Sequence, residues 1–354
     1  MAEPERPEPE RFGDPAAEVP ARLRALVSPD AEPRHRAWEW LETELCHHGS
    51  ASPATAHAVP FLLELLRDGG TPDRRRILGC LSRLVEPYSG GGAVLPPGPD
   101  APGCPVRRAV AAGAGGAVVP LLDSADPSAA GAAAELLAWL PEQAPAALPG
   151  LRRLLARELP LRERTTAMIA LGALAGAAGD RSGRSDLERL LDDRTDPGRW
   201  AAAVALSRVT APGVPPAAIT AMVDELSAAH LDPEAYEAVW RTRFHDGDAA
   251  GLLAAALGRL PRERRETARS AVAARLGAAG CAPEDAAAVA AGLVADALGD
   301  VDSVDPEGLT PWQWAVIGTL PGAGPVWASG ELGPWLASAY GLPQTPDALR
   351  GWSR

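Results

Sequence analysis

Lysine is absent from this chain: all 34 of its basic residues are arginine. Acids number 46, so the net charge is -12 and the pI is near 5.1. A basic face supplies most of the affinity of a general nucleic-acid binder, and basic clusters are what anionic membranes attract. An acidic chain points away from both. Phenylalanine and tyrosine are scarce, three of each, and β-branched residues are sparse. Strands favour those residue types, so a β-rich fold is excluded. The four cysteines (Cys46, Cys80, Cys104 and Cys281) lie far apart with no CxxC spacing. That excludes a disulfide framework and predicts reduced thiols in a cytoplasmic protein. The Cys46-His47-His48 triplet suggests a metal ligand set, but adjacent residues rarely converge on one ion, and no second ligand pair lies nearby. No metal and no cofactor are expected. The Ala-rich run at 285–298 is interrupted by Asp296 and is too short to span a bilayer, and MAEPERPEPE lacks the apolar stretch of a secretory signal.

Alanine and leucine dominate the apolar residues that are present. Hydrophobic residues make up 46% and charged residues 23%, with a mean hydropathy of -0.07, which fits a globular domain. Alanine is the best helix former and lets backbones approach closely, so the composition predicts an all-α fold. Uniform arginine with abundant Ala, Gly and Pro reads as codon bias from a GC-rich genome; arginine alone is then no sign of phosphate binding.

Residues 1–20 combine six acids, two arginines and five prolines; such a segment cannot bury a core and is expected to be a disordered tail. Beyond it, a capping residue followed by proline recurs: Ser52-Pro53, Thr71-Pro72, Asp126-Pro127, Asp196-Pro197, Asp232-Pro233 and Asp305-Pro306. The side-chain oxygen accepts from unpaired backbone N–H groups, and proline at the first helical position loses nothing. Pro127, Pro160, Pro197 and Pro233 follow at intervals typical of two-helix repeats. An independent signal lies within the units: Val59-Pro60-Phe61-Leu62, Val119-Pro120-Leu121-Leu122 and Leu148-Pro149-Gly150-Leu151 place an apolar-Pro-x-Leu core at the start of an apolar helix. Preceding helices are predicted at about 34–46, 73–86 and 128–140. Units that cannot bury their own apolar face must stack, which predicts an α-solenoid, a superhelix of antiparallel helix pairs, over 21–308. A Gly/Pro-rich insertion occupies 87–105. The segment 309–354 holds five of the ten tryptophans and is expected to cap the last exposed face.

The helix–turn–helix unit with its early Pro-x-Leu resembles the HEAT repeat, an armadillo-like helical family. Trp38 through Leu66, with LTPWQWAVIGTLPGAGPVW and GLPQTPDALRGW at the other end, is similar to a group of actinobacterial HEAT-repeat proteins. Where that group has His-Gln-Gly between its first helices, this chain has His47-His48-Gly49. The resemblance implies a scaffold or adaptor whose second helices line a concave face that receives a protein partner. On that implication Arg107, Arg108, Arg152 and Arg153 are candidate contacts for an acidic surface, with His57 and Arg67 beside the first unit.

Chemistry is not signalled. No GxSxG, HExxH or P-loop occurs, and Gly113-Ala114-Gly115-Gly116 has no strand leading into it, so it reads as a helix opening or a close-packing point. The expectation is therefore a protein that is not an enzyme. Trp38 and Trp40 with Glu39, Glu42 and Glu44 form an aromatic-acidic stretch. Either Leu41 and one Trp face the core while the acids are solvated, or this first unit, where Trp38, His47 and His48 are candidate contacts, offers Trp and Glu to a partner. The arginine clusters either form a basic stripe or pair with acids of neighbouring units, such as Glu86, Glu135 or Glu158. The alternative function is a HEAT-like alkylpurine DNA glycosylase, using Trp139, Trp200 and Trp240 with Asp193.

Overall fold

In the computed structural model the described residues are 15–44, 53–86, 105–210, 213–231, 242–244, 249–261, 264–278, 283–299, 301 and 303–352. No strand occurs among them. Helices α1 (Pro15–Ala25), α2 (Ala31–Glu44), α3 (Pro53–Arg67), α4 (Arg74–Val85), α5 (Pro105–Ala117), α6 (Pro127–Ala138), α7 (Ala144–Leu155), α8 (Leu161–Ala178), α9 (Arg184–Asp192), α10 (Arg199–Val209) and α11 (Pro216–Leu231) alternate between two layers. In one layer α4, α6, α8 and α10 pack in series; in the other, α1 packs on α3, α3 on α5, and a 3-10 turn at Val119–Asp123 bridges α5 to α7. The chain is an α-solenoid of HEAT-like helix pairs.

Close approach is set by small residues. A Cβ on Gly172 of α8 would lie 2.3 Å from the Ala205 Cα of α10, and one on Gly113 would lie 2.5 Å from Leu63 of α3. Gly113 therefore marks a close-packing point near the end of α5 rather than a helix opening. Between the layers lies one core, with Met168, Ile169, Leu171, Val204 and Leu206 sealed from water.

The capping signals resolve unevenly. Asp126 accepts from the Ser128 N–H at 2.9 Å and opens α6; Asp305 does the same for Glu307 at 3.0 Å. Asp196 accepts from Gly198, but α10 starts only at Arg199, and α4 starts at Arg74, two residues after Thr71-Pro72. Ser52 and Asp232 lie outside the described residues. Pro60 and Pro149 sit inside α3 and α7 rather than at their starts. An interior proline costs about 3 kcal/mol, a penalty outweighed by buried Leu62, Leu63 and Leu66 in α3 and by Leu148, Leu151 and Leu154 in α7.

Residues 15–20, expected within the tail, form the first half of α1, because Val19, Leu23 and Leu26 bury an apolar stripe there. The predicted insertion falls outside the described residues up to Pro105, which opens α5. After α11 come α12 (Ala249–Gly258), α13 (Arg265–Ala278), α14 (Pro283–Leu298), α15 (Pro311–Ile317), α16 (Gly324–Ala328), α17 (Leu332–Tyr340) and α18 (Pro346–Trp352). Helix α15 packs on α13, and α16 and α17 pack on α14. Trp312 is fully buried, the Trp327 indole donates to the Leu320 carbonyl at 2.7 Å, and Trp314 stacks obliquely on Trp352.

Candidate functional site

Trp38, a candidate anchor for a partner, is only 1% exposed. It faces the core with Leu41, and the Arg76 guanidinium lies 5.1 Å from its ring centre. A side chain enclosed in this way cannot meet a partner, so that expectation is corrected. Its neighbour Trp40 is half-buried beneath Arg22, and Glu42 is claimed by Arg76 at 2.9 Å, which holds its carboxyl below the usual range.

The arginines of the second helices join one repeat to the next. Arg107 donates to Glu142 at 2.9 Å and to the Trp139 carbonyl. Arg152 reaches Asp180 at 2.7 Å and also bonds Ser182. Asp180 is drawn down to about 2, chiefly by the Ser182 hydroxyl and N–H and then by Arg152. Arg153 holds Asp123 through two bonds, at 3.0 and 2.8 Å. The pairing expected between units is present: the acids that meet Arg107, Arg152 and Arg153 are Glu142, Asp180 and Asp123. Each of these guanidiniums already holds a carboxylate, Arg107 and Arg152 half-buried and Arg153 at the surface. Arg108 and Arg67 are exposed; His47 and His48 lie outside the described residues.

His57 leads to a surface that composition does not reveal. Helices α1 and α3 enclose a groove of about 570 Å3 lined by Val19, Leu23, Val27, Phe61 and Leu65, with His57, Arg24 and Glu64 at its polar edge. Phe61 is 56% exposed and Val27 45%. Both stand in the same groove, where large apolar side chains are costly to leave in water. The i, i+4 spacing of His57, Phe61 and Leu65 on α3 is the signal that could have found it. On an unpaired sequence that spacing is indistinguishable from a core stripe.

A second cluster lies across α6 and α8. The segment Thr242–Phe244 returns from beyond α11 to these helices. Its Arg243 guanidinium bonds Glu163 at 3.0 Å, the Ser128 hydroxyl at 2.8 Å and the Ser128 carbonyl at 3.2 Å. The Arg243 N–H donates to the Thr166 hydroxyl at 3.1 Å. Phe244 meets Trp139 edge-on at 6.2 Å. Nearby, burial pushes Glu135 up to about 7, opposed by Arg243 and reinforced by Glu86.

The residues of the base-excision alternative are not brought together. Trp139 and Trp200 are sealed in the core, Asp193 is exposed and bonded to Thr195, and Trp240 lies outside the described residues. A stacking platform must be open to the base, so this constellation does not form one. Among the described residues no group of three His, Cys, Asp or Glu could hold a metal ion, and no helix is long and apolar enough to cross a membrane.

The fold thus defines a helical-repeat protein with an apolar groove at its first unit. No family model and no curated protein matches the chain. Among solved structures it is similar to the complex of CpcE and CpcF of phycocyanin lyase from Nostoc sp., at 17% identity and a TM-score of 0.43, covering 91% of this chain and 99% of that one. That neighbour is described as part of a phycocyanin lyase, and the expectation that this chain is not an enzyme is not supported.

Proposed function

We propose that this protein is a cytoplasmic helical-repeat scaffold that holds a protein partner, and that the partner seats an amphipathic helix in the groove between α1 and α3. The observation that supports this most is the pair Phe61 and Val27, large apolar side chains left half-exposed in one groove. An apolar helix face inserted there would bury both, with Arg24 and Glu64 available to its polar flanks. Helix α3 is the second helix of its unit, on the side where the HEAT resemblance places partners. The kinship with actinobacterial HEAT-repeat proteins, a 21–308 solenoid closed by a Trp-rich cap at 309–354, and the preference for protein over nucleic acid belong to the same reading.

The test is affinity capture from the native cytoplasm with the wild-type chain and with Phe61→Glu. Because Phe61 is exposed, the substitution leaves helicity and melting temperature unchanged. A stoichiometric protein retained by the wild type in moderate salt and lost by the variant is the expected result. Equal retention by both would remove the groove as the docking surface, and capture of nucleic acid alone would overturn the scaffold reading.

A further inference from the structure

The α6–α8 surface is built around an arginine and an aromatic ring that come from a remote part of the chain. Arg243 and Phe244 are 115 and 105 residues from their respective partners, Ser128 on α6 and Trp139 just past its end. Arg243 is 8% exposed and its acceptor Glu163 10%. Phe244 is 2% exposed. Neither helix closes over this space by itself. Gly131 on α6 is what makes room: a Cβ there would stand 2.8 Å from the Glu163 Cγ and 3.2 Å from the Arg243 Nε. Glu163 and Ser128 supply charge and acceptors for a guanidinium, Thr166 accepts a backbone N–H, and the edge of Trp139 receives a ring. Each feature recognises a short peptide element rather than a helix face: one backbone donor, one guanidinium and one aromatic ring.

We propose that the surface between α6 and α8 is a peptide-binding site for an arginine–aromatic pair, occupied in this structure by the chain's own Thr242–Phe244, which a partner segment of the same chemistry displaces. An internal ligand acts at an effective concentration near the millimolar range, so a free peptide competes poorly until the internal segment is weakened. The occupant is set by the charge and shape of the site. Lysine would lose the forked geometry that spans Glu163 and Ser128, and an aliphatic residue would lose the edge contact with Trp139.

The experiment uses the full chain and a fluorescent synthetic peptide of residues 239–247 (VWRTRFHDG), titrated by anisotropy. The wild type is expected to bind it weakly up to about 1 mM. The double variant Arg243→Ala/Phe244→Ala, with its internal ligand removed, is expected to bind at least tenfold more tightly. The same peptide with both residues replaced by alanine is expected not to bind. Equal affinity for wild type and double variant, or equal binding of the alanine peptide, would overturn the proposal. If the double variant loses its fold, the same peptide is expected to raise its helicity and melting temperature, as a ligand of the native state must. No recovery at saturating peptide would also overturn the proposal.

Discussion

Glu135 occupies a half-buried position on α6, and burial raises its pKa to about 7, with Glu86 reinforcing the shift and Arg243, Arg162 and Arg83 opposing it. In the unfolded chain the same carboxyl titrates near 4.5. Between those values the folded protein keeps a proton that the unfolded chain has released. This group's contribution to stability therefore declines as pH rises from about 4.5 to about 7 and stays low above that. Glu135→Gln is expected to stabilise the protein at pH 8 by on the order of 1 kcal/mol, less than a fully enclosed carboxyl would give. The gain should disappear near pH 4. Urea denaturation of wild type and variant at both pH values checks this; a gain that is the same at pH 4 and pH 8 would mean that the carboxyl is not held protonated. The sequence marks Glu135 only as an acid on an alanine-rich helix. Its altered proton affinity arises from burial in the assembled stack, against the opposing charge of Arg243 from far along the chain.

At the scale of the helix pair, the junction of α8 and α10 depends on the absence of a single methyl group. Alanine at position 172 would improve helix propensity by about 1 kcal/mol. Its Cβ, however, would lie 2.3 Å from the Ala205 Cα and 2.9 Å from the Ala205 carbonyl oxygen. Backbone cannot move aside as a flexible side chain does, so the two helices must separate. Gly172→Ala is expected to destabilise the protein by about 2 kcal/mol net. Gly258→Ala, in a helix where nothing lies within 4 Å of the added carbon, should be neutral or slightly stabilising. Thermal melts of both variants distinguish close packing from helix propensity, and a Gly172→Ala protein as stable as the wild type would mean that the helices separate at no cost. Element identity was legible from the alanine and leucine periodicity, and so was the cap at Asp126. The exact starts were not. Pro60 and Pro149 looked like openings because proline is favoured there, yet the buried leucines on either side carry both helices through.

In the whole molecule, protection should follow position in the stack. Helices α8 and α10 are covered by neighbours within their own layer and by the opposite layer, and nearly all of their apolar residues are sealed from water. Helix α1, by contrast, packs chiefly on α2 and α3 among the described residues and borders the open groove. Native-state hydrogen exchange is expected to show the slowest amides in α8 and α10, with α1 opening by a smaller local transition. Uniform protection from α1 to α10 would instead indicate a single cooperative unit.

Composition and periodicity by themselves determined the all-α class and the stacking of helix pairs, because helix propensity and the 3.6-residue apolar stripe are local properties of the chain. The partnering of the arginines between units was also legible in kind. Which acid each one meets was not: Arg107 with Glu142, Arg152 with Asp180 and Arg153 with Asp123 span about 30 residues and depend on how one repeat is rotated on the next. Tertiary structure alone decided that Trp38 is core while Phe61 faces water, since both lie on apolar helical stripes and only the presence or absence of a neighbouring helix separates them. It also decided that Arg243 and Phe244 return to α6 and α8, because no local pattern encodes contacts between residues 77 to 115 positions apart.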